Sequence, residues 1–159
     1  MIVRPAEESF QKGLAALAQG QRVEALALFE AAIQVERQLG VAESQPRYIS
    51  YYGLCLGLDG RRLQEGIKFC REAVAAEFFN ADLYLNLARV YLAADKKKEA
   101  WSALQKGMGW ARRHPGILKE MRAMGRRRKP VLPFLPRRHP INVLLGRMTR
   151  PLPPSAARA

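Results

Sequence analysis

Tyr84-Leu85-Asn86-Leu87-Ala88-Arg89-Val90-Tyr91, followed after Asp95-Lys96-Lys97 by Ala100-Trp101-Ser102-Ala103-Leu104, is the stretch that decides the fold. It places a small residue in the middle of one apolar helical pattern, then a polar turn, then a second small residue opening another such pattern. Two earlier stretches repeat it. Gly53 precedes the turn Asp59-Gly60-Arg61 and is answered by Gly66, Cys70 and Ala73. Gly13 precedes the turn Gly20-Gln21-Arg22 and is answered by Ala25, Phe29 and Ala32. The two small residues stand 12, 13 and 12 positions apart in the three stretches. The later positions recur after 34 residues between the second and third stretches and after 41 between the first and second. A longer helix and the loop from Gly40 to Gln45 absorb the difference.

A physical reason underlies the spacing. Helices packed about 8–10 Å apart need small side chains where their backbones cross. Gly13 with Ala25, Gly53 with Gly66, and Ala88 with Ala100 are the expected crossings, with Phe29, Cys70 and Leu104 filling the space between neighbouring pairs. The periodicity predicts helices over 6–18, 22–39, 46–58, 62–77, 81–94 and 97–113. Pro46 and Asp82 suit helix starts and Gly40 a helix end. After His114-Pro115, the apolar positions Ile117, Leu118, Met121 and Met124 predict a short final helix that covers the last apolar surface.

A 34-residue helix–turn–helix period, with Tyr84-x-x-Leu87-Ala88-x-x-Tyr91 and Ala100-x-x-x-Leu104, resembles the tetratricopeptide repeat family. The second segment, Ile49-x-x-Tyr52-Gly53-x-x-Leu56 with Gly66-x-x-x-Cys70, is similar with one extra turn residue. The first, Ser9-x-x-Lys12-Gly13-x-x-Ala16 with Ala25-x-x-x-Phe29-x-x-Ala32, departs furthest from the pattern. The resemblance spans about residues 6–112 and implies an all-α solenoid of three helix–turn–helix repeats with a capping helix, occupying 1–125. It also implies a concave face, formed by the first helix of each pair, that holds an extended or helical peptide. By position that face includes Phe10, Leu14, Leu17, Arg47, Tyr51, Leu54, Leu85, Asn86, Arg89 and Leu92, with Asp82 as a further polar point. Family members that grip acidic carboxy-terminal tails use a clamp of Lys, Asn and Arg. Leu14, Tyr51 and Asp82 stand in its place here, so an apolar ligand segment is expected instead. Bacterial secretion chaperones of translocator proteins look similar in size and repeat number, which gives a second expectation.

Charge separates the chain into two parts. All 14 acidic residues precede Gly125, whereas residues 126–159 hold nine of the 27 basic residues. The tail therefore carries +9 of the net +13. It opens with the basic run Arg126, Arg127, Arg128 and Lys129. Pro130 to Pro136 follows, an extended proline-spaced segment carrying Leu132, Phe134 and Leu135. Pro140 then starts a short amphipathic helix, expected near 140–149, through Ile141, Leu144, Leu145 and Met148. Such apolar content predicts a docking element, directed to the chain's own repeats, to a protein groove, to an acidic partner or to an anionic membrane surface. Nine positive charges also suit nucleic acid or a ribosome, although Phe134 is the tail's one aromatic and stacking there is thinly supplied.

Catalysis is not expected. No glycine-rich phosphate loop or zinc spacing occurs, and His114 and His139 each precede a proline at a segment boundary. Cys55 and Cys70 read as small core residues, and no cofactor or metal is implied. The first residues carry no apolar run of signal-peptide length, and nothing reaches the roughly 18 apolar residues of a membrane span, so a cytoplasmic setting is expected. The reading is a non-enzymatic scaffold for a protein or peptide, with a homodimer left open by the imperfect first repeat.

Overall fold

The structure is a computed structural model that describes residues 4–125 together with Pro140, Ile141 and Leu144. Seven helices and no strand occur among the described residues: α1 Arg4–Ala18, α2 Arg22–Gln38, α3 Pro46–Leu58, α4 Leu63–Ala76, α5 Ala81–Ala93, α6 Lys97–Trp110 and α7 Pro115–Ala123. By contacts the chain divides into two units, Met1–Met124 and Gly125–Ala159. In the second, Pro140, Ile141 and Leu144 are helical and exposed. Arg126 to Lys129, Leu132, Phe134, Leu135, Leu145 and Met148 lie outside the described residues.

The helix bounds follow local chemistry. Pro46 occupies the first turn of α3, where its missing N–H costs nothing. Asn80, rather than Asp82, caps α5: its side-chain oxygen accepts the Asp82 backbone N–H at 3.1 Å. Leaving α1 and α3, the chain passes through Gly20 and Gly60, each at φ +79°. Leaving α5 it passes through Asp95 at φ +54°, a left-handed position held by a residue with a Cβ. The Gly20 and Asp95 turns share a closing bond, from Gln21 N to Ala16 O and from Lys96 N to Tyr91 O. Helix α6 stops at Trp110, three residues earlier than the periodicity predicts, and Arg112-Arg113 form the turn that follows.

The helices pack in chain order: α1 on α2, α3 on α4, and α5 on α6 are the principal pairs. Helix α3 also touches α2 and α5, α4 touches α5, and α7 packs on α6. In the middle pair the backbones nearly meet. A Cβ placed on Gly66 would lie 2.6 Å from Gly53 O and 2.7 Å from Gly57 N. Gly53 and Gly66 therefore form the crossing that the spacing predicts, with Gly57 as its third member. Gly57 has a second neighbour, since its own Cβ would strike Val90 Cγ1 at 2.5 Å. In the first pair Gly13 faces the Phe29 ring, one turn beyond Ala25, at 2.6 Å from a hypothetical Cβ. Ala88 and Ala100 are both fully buried.

Two apolar clusters result. One, around Phe10, Phe29 and Tyr48, fills the space between α1, α2 and α3. Its rings lie close, Phe10 to Tyr48 at 4.7 Å and Phe29 to Tyr51 at 5.5 Å between centroids. The other, around Leu54, Cys70, Leu87, Leu104 and Ile117, joins α3 through α7. Leu17 and Tyr51 pack against both. Ile117 is fully buried, and a Cβ on Gly107 would meet its Cδ1 at 2.8 Å, so α7 is seated on α6 through this side chain. Among the described residues no helix is long and apolar enough to cross a membrane.

Candidate functional site

The odd-numbered helices carry the residues that sequence reasoning assigns to a groove, and burial divides those residues into two groups. Phe10, Leu54, Leu85 and Asn86 are all less than 7% exposed. They belong to the packed interior: Phe10 lies among the aromatic rings, and Leu54 and Leu85 lie in the larger cluster. Asn86 donates from Nδ2 to Ser50 Oγ at 3.1 Å, tying α5 to α3 beneath the surface. A ligand cannot reach these four side chains without opening the core. Leu14 and Leu17 on α1, Tyr51 on α3, and Leu92 on α5 are half-buried, and so are Met121 on α7 and Met124 at its end. All six pack against one cluster or both, leaving their other sides to solvent.

Both expected basic points have acidic neighbours. Arg47 pairs with Glu7 from α1, and the Tyr48 hydroxyl donates to the same carboxylate oxygen at 2.7 Å. The Arg47 guanidinium also sits 5.1 Å from the centroids of both the Phe10 and Tyr48 rings. Burial pushes the Glu7 carboxyl up, but hydrogen bonds from Gln11 and Tyr48 and the charge of Arg47 outweigh it and hold the group below its ordinary 4.5. Burial and the bond to Glu7 push the Tyr48 phenol up to about 12. Arg47 Nε in turn donates to Gln45 Oε1 at 2.8 Å, and the Gln45 backbone N–H donates to Glu36 Oε2 at 2.9 Å. Glu36 is fully buried on α2, and its second oxygen has no partner among the described residues.

At the other end, Arg89 Nε donates to Glu120 Oε1 of α7 at 2.9 Å. His114 bridges the same two helices: its Nδ1 accepts the Ile117 N–H at 3.3 Å, which leaves Nε2 to donate to Asp82 Oδ1 at 2.9 Å. The Tyr51 phenol is raised above 10 by burial and then by the charge of Asp82, with Arg89 and Asn86 acting in the opposite direction. Tyr51, Asp82, Asn86 and Arg89 thus form one polar neighbourhood beside the half-buried apolar side chains.

Cys55 and Cys70 are buried thiols, pushed by desolvation up to about 11 and about 12, too high for a ready thiolate. Among the described residues no group of three or more His, Cys, Asp or Glu side chains is placed to hold a metal ion. Chemically, the odd-helix face offers apolar contact and hydrogen bonds, while its arginines are already matched by the chain's own carboxylates.

Sequence reasoning did not single out Phe78, Phe79 and Trp110, which are the largest aromatic surfaces left open in the body. Their signal was present: a Phe-Phe doublet directly before a helix start belongs to a turn rather than to a helix's apolar face. No protein-family model matches the chain, and no curated protein matches it in sequence.

Proposed function

We propose that the chain is a tetratricopeptide-type, non-enzymatic scaffold that holds an apolar segment of a partner protein across the face of its odd-numbered helices. The half-buried series Leu14, Leu17, Tyr51, Leu92, Met121 and Met124 carries this reading. It supplies adaptable apolar contact, with two methionines at one end, beside a polar neighbourhood able to orient a peptide backbone. With Arg47 and Arg89 occupied by Glu7 and Glu120, an acidic ligand would have to displace existing pairs. The ligand segment is therefore leucine- or phenylalanine-bearing and weakly charged. The basic tail over 126–159 acts as a second docking element for an acidic surface.

The test is selection of a displayed random-peptide library on the full chain, followed by affinity measurement on variants. Weakly charged Leu- or Phe-containing peptides should emerge, and Leu17→Gln and Tyr51→Ala should each weaken them several-fold when measured well below each variant's own melting temperature, which both changes lower because the two side chains also pack against the core. Selected peptides that are strongly acidic, or that bind both variants as well as the parent, would refute the assignment of this face.

A further inference from the structure

Three aromatic side chains stand together on the body's surface. Phe78 and Phe79 occupy the turn between α4 and α5, and Trp110 is the last residue of α6; they are 56%, 58% and 54% exposed. The Phe78 ring lies 5.7 Å from Phe79 and 5.6 Å from Trp110, both edge to face. Rings in this arrangement hold one another in place. Phe79 and Trp110, at the two ends of the trio, each keep ring surface open to another planar group.

Basic side chains outnumber acidic ones beside the rings. Arg112 and Arg113 form the exposed turn after Trp110, and no more than about 11 Å of chain separates Arg113 from the tryptophan. Lys106 is exposed one helical turn before Trp110, on the same side of α6. None of these three side chains makes an ion pair or hydrogen bond among the described residues. The neighbouring acids are engaged: Glu77 accepts from Asn80 Nδ2 at 3.2 Å, and Asp82 accepts from His114. Planar apolar surface flanked by unpaired guanidinium groups complements a strand of stacked bases joined by phosphates.

We propose that this edge binds single-stranded nucleic acid, with bases stacking on Trp110 and Phe79 and phosphates meeting Lys106, Arg112 and Arg113. None of Phe78, Phe79, Lys106, Trp110, Arg112 and Arg113 lies on an odd-numbered helix. A membrane is less well suited, because an interfacial surface sinks about 5–10 Å into the headgroup boundary and these rings are nearly half covered. A second copy of the chain would oppose like charges at the same place.

The test uses the full chain with Trp101→Phe, which leaves Trp110 as the one tryptophan of two. The probes are labelled oligouridylate and oligothymidylate of about 12 nucleotides, with phosphatidylserine vesicles as a third arm. Stacking predicts quenching of Trp110 fluorescence by one oligomer or both, and the comparison tells whether the sugar matters. Added to this protein, Phe79→Ala should raise Kd about tenfold. In the parent chain Trp110→Ala should do the same by anisotropy, whereas Trp110→Phe should restore most of the affinity. Arg112→Glu with Arg113→Glu should flatten the salt dependence by about 0.7 per lost phosphate contact. Phe79 and Trp110 are exposed, and Trp101→Phe keeps an aromatic ring at a half-buried position, so the fold should be retained. Oligomer binding with no Trp110 response, unchanged in Trp110→Ala, would place the contact on the basic tail and overturn the proposal. A blue shift of Trp110 on vesicles with none of these oligomer effects would overturn it in favour of a membrane.

Discussion

Replacing Gly66 by alanine tests the central helix crossing, because two opposing effects can be compared there. Alanine is favoured over glycine within a helix by about 1 kcal/mol, so an unobstructed Gly→Ala change should stabilise. Gly66 is obstructed. Its added Cβ would lie 2.6 Å from Gly53 O, 2.7 Å from Gly57 N and 2.9 Å from Gly57 Cα. All three are backbone atoms, so no rotamer change relieves them, and α3 must move away from α4. Overpacking of this kind costs about 1–3 kcal/mol, and rigid backbone neighbours place Gly66 at the upper end. Net of the propensity gain, Gly66→Ala should cost about 2 kcal/mol, or about 4–8 °C in Tm for a chain of this size. Gly109 supplies the control. It also lies in a helix, but nothing stands within 4 Å of its Cβ position, so Gly109→Ala should gain up to about 1 kcal/mol. Urea melts read both changes as shifts in midpoint at constant slope. A Gly66→Ala protein as stable as the parent would refute the close approach of α3 and α4.

Two further predictions concern ionisable groups. Glu7→Gln should cost about 1 kcal/mol near neutral pH, because the Arg47 charge and the Tyr48 hydroxyl lose their carboxylate partner. The Glu7 carboxyl is held below its ordinary 4.5, so its contribution is present above that value and fades as pH falls through the lowered one. Melts of parent and variant should therefore converge in acid; a difference that persists at pH 2 would exclude the ion pair as its cause. Cys55 and Cys70 should resist a disulfide reagent at pH 8 in the folded chain and both react in denaturant. Rapid labelling of the native protein would contradict their burial.

The helices were readable from sequence because each is bounded by local chemistry. Glycine turns, Pro46 and the 3.6-residue apolar period act over a few neighbours, and the observed ends lie within three residues of those expected. The Gly53–Gly66 crossing was readable for the same reason, since two small residues at fixed distances from a turn must meet. The proposed binding face was harder to read. Helix α5 packs on α3, α4 and α6, and eight of its 13 residues are buried, so its apolar period does not mark which side faces solvent. Leu85 and Asn86 accordingly turned out to be interior. Pairing of Arg47 with Glu7 joins residues 40 positions apart, and that of Arg89 with Glu120 joins residues 31 apart. No local pattern announces either pair.

The main packing joins helices no more than two places apart in chain order, and that bears on how the molecule comes into being. Each hairpin needs only its immediate predecessor as a template, so little chain must be looped out before a contact forms, and folding should be fast. During synthesis α1 and α2 can close as soon as they leave the ribosome, and α3 can settle on them while α6 is still untranslated. The body can therefore be assembled in the order in which it is made, with no early segment left waiting for a late one.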